Sequence, residues 1–217
     1  MTDDRKAGIA LIAGSLGFIL TMAIHPTAGG PLTDEQVVRL MRLSGVAHSL
    51  AIASTIALFL GACGLAQRLA AADRYSFAAI VVFGFACVAI IIAASVSGFI
   101  VPQIMRRMVR DEAANAHQWR ILIYGIFQIN QAFAKIYSVA ASLAIVLWSV
   151  TSLRNGGLGR GVAIFGCIIA ALITIGVASG HIQLDVHGMA AVGFGQAIWF
   201  IAVGWMLYSS PRDESPR

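Results

Sequence analysis

Six long apolar stretches constrain this chain more than any other feature of its sequence. They cover approximately residues 7–25, 46–67, 76–101, 120–149, 160–180 and 187–208. A helix needs about 20 mostly apolar residues to cross roughly 30 Å of bilayer hydrocarbon, and each stretch is about that long. Since lipid offers the backbone no hydrogen bonds, such stretches form helices. The sequence predicts an all-α polytopic membrane bundle with six transmembrane helices.

The composition agrees with a lipid bilayer as the main partner. Hydrophobic residues make up 59% of the 217 residues and charged residues only 12%, whereas soluble domains carry about 25% charged residues. A soluble core could not hide that much apolar surface. No segment resembles a linker, so we expect residues 1–217 to form a single integral membrane domain.

The basic charge balance follows from the same topology. The formal net charge is +5, which in a soluble domain would indicate a nucleic-acid partner. Here almost all Lys and Arg residues lie between the apolar stretches or at their ends, where they contact lipid headgroups and set orientation. We therefore expect no nucleic-acid partner. The face that carries both termini has eight Lys and Arg residues and the other face six, which favours cytoplasmic termini.

Two connections have helical patterns of their own. Thr33 and Gln36 have the spacing of a capping box, and an amphipathic pattern follows them, so this segment either lies at the membrane interface or continues into the second span. The segment 104–119 mixes Met, Val and Trp residues with an Arg cluster. We predict short interfacial helices in loops one and three.

The five histidines fall on one face of the predicted bundle. Two of them flank a carboxylate in the string His181 to His187, and imidazole with carboxylate suits Zn²⁺. The sequence yields a candidate metal site, with Zn as its cofactor, composed of His48, His181, Asp185 and His187. The alternative is that these side chains cap helix ends and contact headgroups.

Lys135 lies near the middle of the fourth stretch, where a charged side chain costs about 2.5–3.5 kcal/mol. No Asp or Glu occurs within any predicted span to pair with it. Polar residues in the fourth and sixth stretches lie at a similar depth, which predicts a polar pocket that binds a ligand through Asn130, Gln131, Lys135 and Gln196. The alternative is that these polar groups only hold helices together.

Three segments resemble uncharacterised small bacterial six-helix membrane proteins: residues 25–27, 130–134 and 184–188. This resemblance implies the six-span topology and a bacterial inner membrane, and no activity. Ser44 and His48 also resemble the Ser-x-x-x-His element of membrane zinc hydrolases of the alkaline ceramidase type, which implies that His48 binds a metal. That family has seven spans, an intramembrane Asp and a His-x-x-x-His pair, and this chain has six spans and His181-x-x-x-Asp185 instead.

Three classes of function are compatible with these patterns. The first is binding or transport of a small anionic or amphiphilic ligand around Lys135. The second is a metal-dependent membrane hydrolase that uses the His and Asp residues. The third is a structural or accessory membrane subunit. The first is favoured because an unpaired lysine within a span is harder to explain by packing than interfacial histidines.

Overall fold

The computed structural model describes residues 3–26, 34–70, 74–110 and 115–210, and this part of the chain is helical with no strand. Six helices are long and apolar enough to cross a membrane, which confirms the predicted fold class. The helices are α1 (Asp3–Ile24), α2 (Asp34–Ala70), α3 (Tyr75–Ser95), α4 (Val101–Arg110), α5 (Ala116–Asn155), α6 (Arg160–Ala178) and α7 (Val186–Ser209). A π-helical turn, Val96–Ile100, joins α3 to α4 without a break.

Close packing of α1 between α2 and α7 organises the bundle. A Cβ atom on Gly61 of α2 would meet Leu11 of α1 at 2.7 Å, and one on Gly8 of α1 would collide with the backbone oxygen of Gly204 in α7. Small residues at these positions let helix backbones approach closely, as membrane interfaces favour. Arg68 of α2 also forms an ion pair with Asp4 at the start of α1.

The helices differ in length, and three of them continue beyond the others at one end of the bundle. Because Leu11 faces Gly61 in an antiparallel pair, Ile24 at the end of α1 lies level with His48 of α2. The 14 residues 34–47 therefore extend about 20 Å past α1. Residues 101–110 of α4 and 116–130 of α5 lie beyond the same level. We call these three segments the extension.

The described residues do not confirm separate interfacial helices in loops one and three, and for loop one they agree with the alternative that the segment continues into the second span. In the described part of the chain, residues 34–45 are continuous with α2, and the segment after residue 100 continues from α3 through the π-helical turn. Thr33 of the predicted capping box lies outside the described residues. In the described residues, α2 begins at Asp34 and includes the first segment, and the wide turn at Val96–Ile100 accommodates Pro102, so that α4 follows α3 directly.

A dense core fills the half of the bundle nearer to the chain termini, which we call the closed end. Four fully buried aromatic residues stack there: Phe83, Trp148, Trp199 and Phe200. Their ring centroids lie 5.1–6.2 Å apart, in the range that favours offset and edge-to-face contacts. The closed end is therefore packed without room for a ligand.

Candidate site at the histidine end

A cavity of about 350 Å³ lies at the end of the bundle opposite the closed end, where α1 stops and the extension begins. We call it the histidine end, because His25 and His48 line the cavity there. Its walls come from α1, α2, α3 with the π-helical turn, α5 and the start of α7. Most of the lining is hydrophobic, with side chains that include Phe18, Met22, Ile90, Phe127 and Met189. Cavities of roughly 300–1,000 Å³ with apolar walls and few polar groups are typical ligand sites.

Two histidines from different helices meet in this cavity. His25 follows the last turn of α1 and His48 lies within α2, and their ring centroids are 5.0 Å apart in an edge-to-face arrangement. His48 is only 7% exposed, and burial lowers the pKa of His25 below its ordinary value, although contact with the Pro26 carbonyl partly opposes that shift. Burial of an imidazole favours its neutral form.

The π-helical turn holds His48 in place. Pro102 has no N–H to donate to the carbonyl four residues earlier, and in the turn just before it Val101 N–H donates to the Val96 carbonyl. Ser44 Oγ donates to the Ser97 carbonyl at 3.2 Å across the helix pair. Such wide turns inside α-helices occur frequently at functional sites.

Gly98 in the same turn permits close contact with His48. A Cβ atom at residue 98 would collide with the His48 Cβ and would approach its Cγ to 2.8 Å. Any larger residue would therefore push the His48 ring out of its position. The sequence signal for this contact is weak, because Gly98 is one of 22 glycines in the chain.

Backbone contacts define the tautomer of both rings. His48 Nδ1 lies 2.7 Å from the Ser44 carbonyl oxygen, and His25 Nδ1 lies 3.2 Å from the Pro26 carbonyl oxygen. A carbonyl oxygen only accepts hydrogen bonds, so in each ring Nδ1 carries the proton and donates it. The Nε2 atoms are then left with lone pairs that accept hydrogen bonds.

Two amides of α5 contribute further polar groups to the cavity. Asn130 Oδ1 is buried and has no hydrogen-bond partner among the described residues. Gln131 Nε2 donates to the Leu184 carbonyl at 2.9 Å, in the connection that precedes α7. Both residues line the cavity. Their role in ligand binding stays a prediction.

Lys135 and Gln196 lie outside this cavity. The side chain of Lys135 is exposed on the surface of the bundle, one helical turn from Gln131. Gln196 is 1% exposed, and its Nε2 donates to Ser142 Oγ at 3.2 Å inside the core.

The predicted metal ligands do not come together in the structure. Among the described residues, no three His, Cys, Asp or Glu side chains form a group that could hold a metal ion. His181 and His187 have exposed side chains. Asp185 lines the cavity, and its Oδ1 accepts the Gly188 N–H at 2.8 Å, which caps the start of α7.

His25 completes the site and was absent from the predicted ligand set. His25 directly follows the first predicted span, and His48 lies near the start of the second. The two residues therefore stand at opposite ends of one predicted loop. Antiparallel packing of α1 and α2 then brings the two side chains to one level. Their placement at the two ends of that loop is the sequence signal that could have predicted the contact between His25 and His48.

A second cavity, of about 430 Å³, lies on the outer side of α2 and α3. Hydrophobic side chains such as Phe59, Leu60 and Phe85 dominate its lining. Thr55 also lines it, but its hydroxyl already donates to the Ala51 carbonyl at 2.8 Å. Its lining therefore lacks the convergent polar groups of a typical ligand site.

No family model, curated protein or solved structure shows a significant match to this chain.

Proposed function

We propose that this integral membrane protein binds, and in its cellular role carries or senses, a small amphiphilic molecule in the cavity at the histidine end. The observation that supports the proposal is that the cavity lining consists of a large apolar part and a small polar part. Hydrophobic side chains form most of its wall, and the neutral imidazoles of His25 and His48 lie near the amide of Asn130. An apolar cavity with a few convergent polar groups is the usual form of a ligand site.

The size of the cavity indicates the size of the ligand. At ~30 Å³ for each water-sized group, 350 Å³ accommodates roughly a dozen non-hydrogen atoms. A ligand with a chain of about ten carbons and one polar headgroup fits this volume. The cavity lies where α1 ends, between helices that are apolar enough to cross a membrane, so we expect such a molecule to enter it from the membrane.

The proposal moves the ligand away from Lys135. The exposed lysine side chain does not reach into the cavity wall, and Asn130 and Gln131 provide the amides of α5 that line it. The hydrolase alternative loses its support from geometry, since the described residues do not assemble the His and Asp set that it requires. An amphiphile-binding role needs neither a metal nor a buried cation.

We also propose that the chain inserts into a bacterial inner membrane with cytoplasmic termini. The larger number of Lys and Arg residues on the terminal face supports this orientation. The histidine end then faces the outer side of that membrane. A periplasm-specific reporter fused after residue 210 is expected to be inactive, and an active one would reverse the orientation.

The binding proposal is testable with a ten-carbon alcohol that carries a photoreactive diazirine in its chain. The protein is reconstituted in lipid nanodiscs, irradiated with increasing probe, and the labelled residues are located by peptide mass spectrometry. We expect saturable labelling of cavity residues such as Met22, Phe127 and Met189, because the walls hold the chain of the probe. An excess of the unlabelled alcohol should remove that labelling.

A matched pair of variants checks the location. Val101→Trp places a large ring in the cavity wall and should abolish the saturable labelling. Val139→Trp places the same ring on the 38% exposed outer side of α5 and should leave it unchanged. Equal labelling of both variants, or labelling spread over the outer helix surfaces, would overturn the proposal.

A further inference from the structure

The polar groups of the cavity also indicate the headgroup of its ligand. We infer that the headgroup is a hydrogen-bond donor without negative charge, a hydroxyl or a primary ammonium. This inference rests on the proposed amphiphile-binding function and narrows it to one chemical class. It differs from the sequence-based expectation of an anionic ligand, which depended on Lys135.

Both histidines line the cavity, and each ring has one acceptor nitrogen. Both Nδ1 atoms face carbonyl oxygens and therefore carry the ring protons. The lone pairs on His25 Nε2 and His48 Nε2 have no protein donor among the described residues. A neutral imidazole held in this way accepts a hydrogen bond from a ligand and cannot donate one from the same atom.

The remaining polar groups strengthen the bias toward acceptors. Asn130 Oδ1 is buried without a partner in the described part of the chain, and Asp185 adds a carboxylate to the lining. Two of the donors nearby are already engaged. Gln131 Nε2 donates to the Leu184 carbonyl at 2.9 Å, and the Thr21 hydroxyl donates to the Gly17 carbonyl at 2.9 Å.

Charge separates the remaining ligand classes. No Lys or Arg lines the cavity among the described residues, and Asp185 carries the one formal charge on its wall. A carboxylate or phosphate headgroup would bring its lone pairs against Nε2 and Oδ1 lone pairs and against a like charge. An ether would fit but would leave the acceptors unpaired, which costs the desolvation of each buried group.

Four photoreactive probes with the same ten-carbon chain test the headgroup: the alcohol, the primary amine, the methyl ether and the carboxylate. Labelling of the cavity is measured against probe concentration in nanodiscs of uncharged phosphatidylcholine at pH 7.5. We expect the alcohol and the amine to reach half-saturation at a concentration at least about tenfold below the other two, the equivalent of one buried hydrogen bond.

Variants connect that preference to the named acceptors. Asn130→Leu keeps the approximate shape and removes Oδ1, and His25→Phe keeps a ring and removes Nε2, so each should reduce the difference between alcohol and ether. Lys135→Met leaves the cavity lining intact and should retain the full difference. Thermal unfolding of each variant confirms that it is folded, and either variant suffices if the other fails to fold.

The outcomes separate this inference from the binding proposal. Equal labelling of the cavity by alcohol and ether, or stronger labelling by the carboxylate, would overturn the headgroup inference and leave an amphiphile site in place. A preference for the alcohol that survives in both variants would also overturn it, since the named acceptors would not be its cause. Absence of saturable labelling by all four probes would reject the binding proposal itself.

Discussion

The two ends of this bundle differ in packing although the same helices form both. At the closed end, the four aromatic rings around Trp148 and Trp199 and the contact of Gly8 with Gly204 leave no space. At the histidine end, a cavity of about 350 Å³ separates the helices. The difference comes from the arrangement of the helices within the bundle.

The number of helices at each level explains the difference. Six helices surround the closed end, whereas three long helices continue into the extension after α1 ends and before α7 begins. Among the described residues, the cavity lies at the level where the number of helices changes. The π-helical turn at Val96–Ile100 adds to it by widening one helix at the same level. A helix bundle of unequal lengths thus forms a pocket where its short members stop.

The largest effect is expected from a substitution at the closed end, which tests how tightly that end is packed compared with the histidine end. Gly8→Ala places a methyl group against the Gly204 backbone oxygen, and overpacking of this kind costs about 1–3 kcal/mol. Gly161→Ala is the matched control, since a Cβ there meets nothing within 4 Å. Thermal unfolding in detergent should show a clear loss for Gly8→Ala and none for Gly161→Ala. Equal stabilities would contradict the close packing of α1 against α7.

A second substitution tests the cavity end. Gly98→Ala should displace the His48 ring, since its new methyl group collides with the His48 Cβ. We expect saturable labelling by the photoreactive alcohol to weaken about tenfold, the equivalent of one lost hydrogen bond. Gly125→Ala, with nothing within 4 Å of its Cβ, is the control and should label normally. Unchanged labelling of Gly98→Ala would remove His48 from the site.

The smallest effect is expected between the two ends, at Lys135. Its side chain is exposed and outside the cavity lining, so Lys135→Met should leave labelling unchanged and alter stability by less than about 0.5 kcal/mol. Labelling and thermal unfolding measure both quantities on the same preparation. A large loss of labelling in Lys135→Met would restore the lysine-centred pocket that the sequence predicts.

Apolar runs were enough to predict the six spanning helices, because the bilayer demands about 20 such residues and a closed set of backbone hydrogen bonds. They could not predict where each helix ends outside the lipid. Asp34–Ala70 and Ala116–Asn155 both continue well past their apolar stretches. The apolar stretch 120–149 itself includes part of the extension, so Lys135 is central in that stretch and yet lies near one end of the part of α5 that packs beside α7.

The site was only partly predictable for a related reason. Asn130 and Gln131 were recognised as polar groups within a span, and both line the cavity. Gln196 is also an amide residue at a similar depth, but its side chain points into the core, where Nε2 donates a hydrogen bond to Ser142 Oγ. Residue type and depth do not specify which side of a helix meets which neighbour, and the packing partners decide that.

The sequence by itself determined that this chain is a helical membrane protein, since hydrophobic length is a local property of the chain. The tertiary structure decided which polar residues share a space. It brought His25 to within 5.0 Å of His48 between ring centroids, left Lys135 on the surface, and kept His181 and His187 apart from the cavity. These outcomes depend on helix register and on unequal helix lengths, which arise from contacts between distant segments.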